Sequence, residues 1–203
     1  MPALCVSVNG QHLATVAFDD NTMIAVNLFG SRSHEEFAVL DMHGGRYGEG
    51  QPRHLIWIAE RRLEPGQVVE VALVPDAPTS HEGKTIDELY PANGVAESEE
   101  TDFTMTDAIF EALSARPMLR DGYEFKLAPS ASAEVSGRTE GAEVSFSLSV
   151  MWNDQHRPDN ARYSLGTNTL DNMRTRSLAR SHAKNWLQIG DTLRFQLWAA
   201  AGA

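Results

Sequence analysis

The chain has 203 residues, 42% of them hydrophobic, and a net charge of −11. No apolar run approaches the roughly 18 residues that cross a bilayer, and the acidic balance opposes sequence-independent attraction to phosphate, so a membrane span and non-specific nucleic-acid binding are set aside. Cys5 is the single cysteine, which excludes an internal disulfide, and Met1 to Val6 shows no basic residue before its apolar ones, so it does not read as a secretory signal and a bacterial-type cytoplasmic location is expected.

Leu4, Val6 and Val8 alternate with Cys5 and Ser7 at strand period, and Asn9-Gly10 supplies a hairpin turn because both central positions accept positive φ. His12 to Phe18 is the return strand, and Asp19-Asp20-Asn21 a second turn. Thr22 to Phe29 is a third strand, broken at Gly30. Glu36 to His43 and Arg53 to Glu60 follow, joined by the Gly-rich loop Gly44 to Gly50. Pro65-Gly66 turns the chain into Val68 to Val74. Six short strands with turn signals between them describe a small sandwich or barrel.

From Pro75 to about Asp102 the chain reads as a long acidic arm, with Ile86, Leu89 and Tyr90 touching the surface somewhere. Thr106 to Ala115 is one short helix. Thr104 or Thr106 caps it, Asp107 suits its first turn and Pro117 stops it. Its Met105, Ile109, Phe110 and Leu113 face is expected to pack on the second β-unit. That unit starts near Gly122 with alternating Tyr123, Phe125 and Leu127. It continues through Ala133 to Val135, turns at Gly137 to Gly141, and shows its clearest half-buried strand at Val144, Phe146, Leu148 and Val150. Ala161 to Leu165 reads as a short strand, while Leu170 to Asn185 is either helical or a strand and loop.

The stretch Leu63 to Leu73 has a counterpart in Leu187 to Leu197, 124 residues on, each with a Gly-centred turn before an alternating strand. Thr22–Phe29 and Glu143–Val150 are also alike. Duplication of one fold and coincidence of a frequent β pattern both account for this. The expected fold is therefore all-β: two β-sandwich-like units, residues 1–75 and 118–203, joined by residues 76–117 as an acidic arm with one short α-helix, with duplication left open.

Charge is unevenly spread. Residues 1–75 hold 5 Lys and Arg against 9 Asp and Glu, residues 76–113 hold 1 against 10, and residues 114–203 hold 11 against 9. The acidic arm with Glu97, Glu99, Glu100 and Asp102 is a candidate surface for a basic protein partner. Arg157, Arg162, Arg174, Arg176, Arg180 and Lys184 form the one basic segment, which either binds phosphate or an acidic partner, or receives the arm. Arg46, Tyr47 and Arg53 flank the Gly-rich loop as a contact surface. That loop lacks the following helix N-terminus that phosphate loops use.

His34, Glu36, His43 and His54 are the residues that could hold a metal, without a His-x-His pair or fixed spacing. Cys5 lacks a basic neighbour and reads as an inert thiol, and no nucleophile elbow is present. Trp57, Trp152, Trp186 and Trp198 either stack on sugars or pack internally. Trp57, between Ile56 and Ile58, reads as part of a strand buried on both faces. No cofactor is indicated. The function expected is non-enzymatic binding of a protein partner, in one form an immunity-type protein masking a basic toxin. The alternatives are a carbohydrate-binding module and an enzyme with a His/Glu metal site.

Overall fold

The computed structural model describes residues 1–19, 21–47, 52–91, 105–155 and 157–200. Among these, the N-terminal strands are β1 (Ala3–Val8), β2 (Gln11–Ala17), β3 (Met23–Ser31), β4 (Ala38–Arg46), β5 (Arg53–Leu63) and β6 (Val68–Val74). Helices α1 (Ile86–Leu89) and α2 (Asp107–Ser114) follow. The C-terminal strands are β7 (Tyr123–Pro129), β8 (Val135–Arg138), β9 (Glu143–Asn153), β10 (Asn160–Thr169), β11 (Arg180–Gln188) and β12 (Thr192–Ala199), with α3 (Leu170–Thr175) before β11. The protein is all-β: two six-stranded antiparallel sheets, ordered β2-β1-β6-β12-β7-β8 and β11-β10-β9-β3-β4-β5. Period-2 alternation buries one face of most strands, so Leu4, Val6, Val26, Leu28, Leu40, Leu127, Phe146, Val150 and Phe195 join one apolar core drawn from both sheets and both halves of the chain.

The topology repeats. Each sheet takes three strands from the first half and three from the second, in mirrored order about the β6–β12 and β3–β9 ladders. The hydrogen bonds repeat with it. The Gly66 N–H donates to the Leu197 carbonyl at 2.7 Å, and the Gly190 N–H to the Leu73 carbonyl at 2.7 Å. Asn9 N–H donates to Val68 O, and Ser130 N–H to Thr192 O, both at 2.8 Å. The return bonds use side chains: Val68 N–H to Asn9 Oδ1 at 2.8 Å, and Thr192 N–H to Ser130 Oγ at 2.9 Å. Arg32 N–H reaches Val144 O, and Asp154 N–H reaches Thr22 O. Glu70 faces Arg194 across β6–β12 and lies on the pseudo-dyad, with Arg194 Nε 3.6 Å from Glu70 Oε2. The two Gly turns, φ +85° at Gly66 and +96° at Gly190, enter β6 and β12 from equivalent places; glycine is favoured there because a side chain resists positive φ. The Leu63 and Leu187 stretches are thus the same element of one repeated topology.

Several boundaries differ from the sequence expectation. Gly30 does not end β3, which runs to Ser31, because a Cβ at Gly30 would lie 2.4 Å from the Phe146 ring: the glycine makes room for an aromatic residue within the ladder. Gly44 and Gly45 belong to β4, not to the loop; a Cβ on Gly44 would sit 2.3 Å from the Met23 carbonyl, so close strand approach demands glycine. Gly137 lies within β8 against the Phe125 ring, and the turn falls at Gly141 instead. β10 reaches Thr169, which caps α3 by accepting from Asn172 N–H; β11 then starts at Arg180. Thr106 caps α2 as expected, and α2 rests on α3, within residues 118–203, with Arg174 4.8 Å over the Phe110 ring and bonded to Asp107 at 2.5 Å. Ile86 to Leu89 close one helical turn under a Thr85–Glu88 capping box.

Candidate functional site

The repeat makes the two ends of the sandwich comparable position by position. Phe18 N–H bonds Pro2 O as Thr139 N–H bonds Tyr123 O, so Asp19 corresponds to Glu140, and Thr22 with Val144 aligns Asn21 with Glu143. Ala38 faces Leu63 as Ala161 faces Leu187, and six residues on Gly44 faces Leu55 as Thr167 faces Arg180. Leu55 therefore corresponds to Arg180, and Trp57 to His182.

At the C-terminal end these positions seal the sandwich. Arg180 grips Glu143 with two parallel bonds, Nε to Oε1 and Nη2 to Oε2, both 2.7 Å. It also reaches Glu140 Oε2 at 2.8 Å and the Arg138 carbonyl at 2.7 Å. Thr167 Oγ1 donates to Glu143 Oε1 at 2.7 Å and therefore accepts from His182 Nε2, 3.0 Å away. Burial alone would push the Glu143 carboxyl up, but the hydrogen bonds from Arg180, Thr167 and the Glu140 N–H outweigh it and hold the group below its ordinary value. Burial, aided by the Arg180 charge, pulls the His182 imidazole down. Every acceptor of the buried carboxylate is used, so this end is closed both sterically and electrostatically.

At the N-terminal end the same positions leave a cleft of about 650 Å³. Asn21, Leu55 and Trp57 line it where the other half places Glu143, Arg180 and His182. Residues 77–84, leaving β6, form a strap across its mouth. Ser80 N–H donates to Thr15 O at 2.9 Å, and Thr15 and Ala17 N–H donate to the Ser80 and Thr79 hydroxyl oxygens at 3.0 and 3.1 Å, which ties the strap to the edge of β2. Lys84 and Ile56 exchange two backbone bonds at 2.8 and 2.9 Å, which ties it to the edge of β5. His81 Nε2 donates to the Trp57 carbonyl at 3.1 Å, leaving Nδ1 to accept from Ser80 Oγ at 2.9 Å. Gly83 lies flat on the Trp57 indole, where a Cβ would come within 2.9 Å of Cε2. Beneath it, Trp57 Nε1 is buried without a hydrogen-bond partner, a cost of roughly 1–3 kcal/mol for such a donor.

Of the residues singled out by sequence, Arg46 and Arg53 line this cleft, directly opposite each other across β4–β5. Tyr47 instead lines a separate depression with Thr22, Met23 and Asn153, and its hydroxyl bonds His54 Nδ1. Glu97, Glu99, Glu100 and Asp102 lie outside the described residues. Four arginines of the basic segment stand at different places in the fold. Arg157 lies 4.8 Å over the Trp186 ring, Arg174 is held by α2, Arg176 caps α3 in the left-handed region, and Arg180 is committed to Glu143. Of the four residues that could hold a metal, His43 and His54 approach to 5.2 Å between ring centroids beside Asp41, whose carboxyl burial pushes up. His34 instead packs against Phe29, and Glu36 pairs with Arg62 at 3.0 Å. Among the described residues no group of three or more His, Cys, Asp or Glu side chains could hold a metal.

The tryptophans form no common platform. Trp152 stacks on Phe18 at 3.9 Å inside the core and donates to the Pro158 carbonyl, Trp57 is buried, and Trp186 and Trp198 are half-buried on different sheets. Cys5 is half-buried within β1. Asp19, Asn21, Leu55, Glu82 and Gly83 escaped the sequence reading as site residues. They meet only because the strap returns to β2 and β5, and no local spacing signals that. Comparison with family models, curated proteins and solved structures found no match.

Proposed function

We propose that this protein is a non-enzymatic binding protein whose ligand seat is the N-terminal cleft. The observation that carries the reading is the contrast between two equivalent ends: one filled by a complete ion-pair network, the other open, floored by Trp57 and rimmed by Arg46 and Arg53. Concave sites with an apolar floor and a few convergent polar groups are where small molecules bind. Binding is favoured over nucleophilic catalysis because, among the described residues, the lining offers one hydroxyl, that of Thr79, which accepts from Ala17 N–H, and neither cysteine nor histidine. A thermal-shift screen of metabolite-sized compounds against the wild type and an Asn21→Trp variant, which fills the cleft, tests this. Compounds are expected to raise the wild-type melting temperature and to lose that effect on the filled variant. Compounds that stabilise both proteins equally, or a library without a hit, remove the cleft from the account.

A basic protein partner is the second reading. It is supported by the 10 Asp and Glu against 1 Lys in residues 76–113. Such binding falls steeply with salt. Binding to poly-arginine should be measurable at about 20 mM salt and weaken at physiological ionic strength, and its absence at low salt counts against this reading.

A further inference from the structure

We infer that the N-terminal cleft takes a small organic anion with a single charged head, a carboxylate or phosphate between Arg46 and Arg53, and an apolar body against Leu55 and the Trp57 floor. This rests on the reading of the cleft as a ligand seat and names the chemistry of the ligand. Arg46 and Arg53 are directly opposed in the β4–β5 register, and both line the cleft. Like charges at such positions repel each other, so the pair is costly in an empty site and favourable around an anion. Among the described residues Arg53 makes one ion pair, with Glu82 at 3.2 Å, both side chains largely exposed, and its charge also acts on Glu88; Arg46 makes none. An exposed pair of that kind contributes little and exchanges readily. Two guanidinium groups on one wall offer the forked donors that carboxylate and phosphate oxygens match.

The remaining groups refine the ligand class. Asp19 stands among the lining residues with Glu82, so the cleft carries two carboxylates beside its two guanidinium groups. That balance disfavours polyanions and suits a single anionic head on the β4–β5 wall. Trp57 Nε1 is an unpaired donor buried beneath Gly83 in the cleft floor. The C-terminal end supplies the internal comparison: there the chain provides its own carboxylate to a guanidinium, through Glu143 and Arg180. At the N-terminal end Asn21 stands in the place of Glu143, and the ligand brings the missing carboxylate or its phosphate equivalent.

Isothermal titration of the full chain with benzoate, phenyl phosphate and benzyl alcohol tests this. At least one of the two anions is expected to bind and benzyl alcohol to bind at least tenfold more weakly. Arg46→Gln and Arg53→Gln should each weaken the anion tenfold or more without lowering the melting temperature of the free protein, since both side chains are exposed and each change relieves the repulsion between them. Binding of benzoate alone identifies a carboxylate ligand, and binding of phenyl phosphate alone a phosphate one. Equal binding of benzyl alcohol would overturn the anion while leaving the cleft as a seat. Anion binding untouched by either arginine substitution, or no binding by either anion, overturns the inference. Because the compound screen against Asn21→Trp reports on the cleft regardless of ligand charge, the two failures are distinguishable.

Discussion

The two ends of this sandwich occupy equivalent places in one repeated topology and solve the same problem differently. Where β9, β10 and β11 meet β8, the gap between the sheets is closed by Arg180, Glu143, Glu140, Thr167 and His182, all bonded to one another or to the backbone. Where β3, β4 and β5 meet β2, the equivalent positions are Leu55, Asn21, Asp19, Gly44 and Trp57, and a strap covers the gap without filling it. The fold needs its sheet edges protected, and both ends achieve that. Only one does so by filling its interior, and in a repeated fold the place where the copies part company is where function has room to reside.

The contrast can be broken most forcefully at Glu143. Glu143→Gln keeps the shape and removes the charge, leaving the Arg180 guanidinium under-compensated beside Thr167. A loss of about 2–3 kcal/mol is expected, below the cost of breaking a fully buried pair because Arg180 keeps partial solvation. Urea unfolding measures it, and a loss under about 0.5 kcal/mol, the scale of an ordinary surface substitution, would show that the network does not hold this end. The opposite end should respond to packing instead. Gly83→Ala drives a methyl group toward the Trp57 ring and the Leu55 side chain and should cost about 1–3 kcal/mol, with a change in tryptophan fluorescence that Glu143→Gln does not produce.

Acid separates the ends as well. The Glu143 carboxyl is held below its ordinary value in the folded protein, so the unfolded chain binds its proton first as pH falls. Its contribution is therefore full above the ordinary carboxylate value and disappears as pH drops through the lower, folded one. Stability measured from pH 6 downward should fall less steeply in Glu143→Gln than in the wild type. Parallel slopes would deny Glu143 that role. The smallest effect belongs to the pseudo-dyad itself: Glu70→Gln removes an exposed pair and should cost no more than about 0.5 kcal/mol, confirming that the halves are joined by ladders and core rather than by that contact.

Much of the fold was legible because the strands are half-buried, and period-2 alternation survives in sequence wherever one face meets the core. Val144 to Val150 and Val68 to Val74 are plain examples. The repeat was faint for a physical reason. The two halves fill equivalent core positions with different volumes: Phe125, Phe146 and Phe195 stand where Leu4, Ile24 and Val71 stand, and Trp152 is answered by Gly30. A core tolerates such exchange when total volume is kept, so the backbone bonds repeat while the residues do not. The Gly66 and Gly190 turns, where positive φ restricts the choice, kept the clearest signature, and the β3 and β9 stretches a weaker one.

The candidate site was legible in part. Arg46 and Arg53 stood out as a charged flank of the Gly-rich loop. Trp57 read as packing, which it also is, and its unpaired N–H emerges only from the fold. Within the basic segment, charge in sequence does not reveal that Arg180 is already spent on Glu143, nor that Arg174 pairs with Asp107 of the acidic stretch. Asn21 and the adjacent Glu82 and Gly83 belong to two segments about 60 residues apart in the chain, brought together by the strap, a long-range pairing that periodicity cannot encode.

Backbone amide and indole N–H resonances followed by NMR during titration with phenyl phosphate and with benzoate test the central contrast most directly. The account predicts shifts concentrated at Asn21, Gly45, Arg53, Trp57 and Gly83, with Glu143, Arg180 and His182 unmoved. Shifts centred on Arg180 and Glu143, or spread equally over both ends, would contradict it.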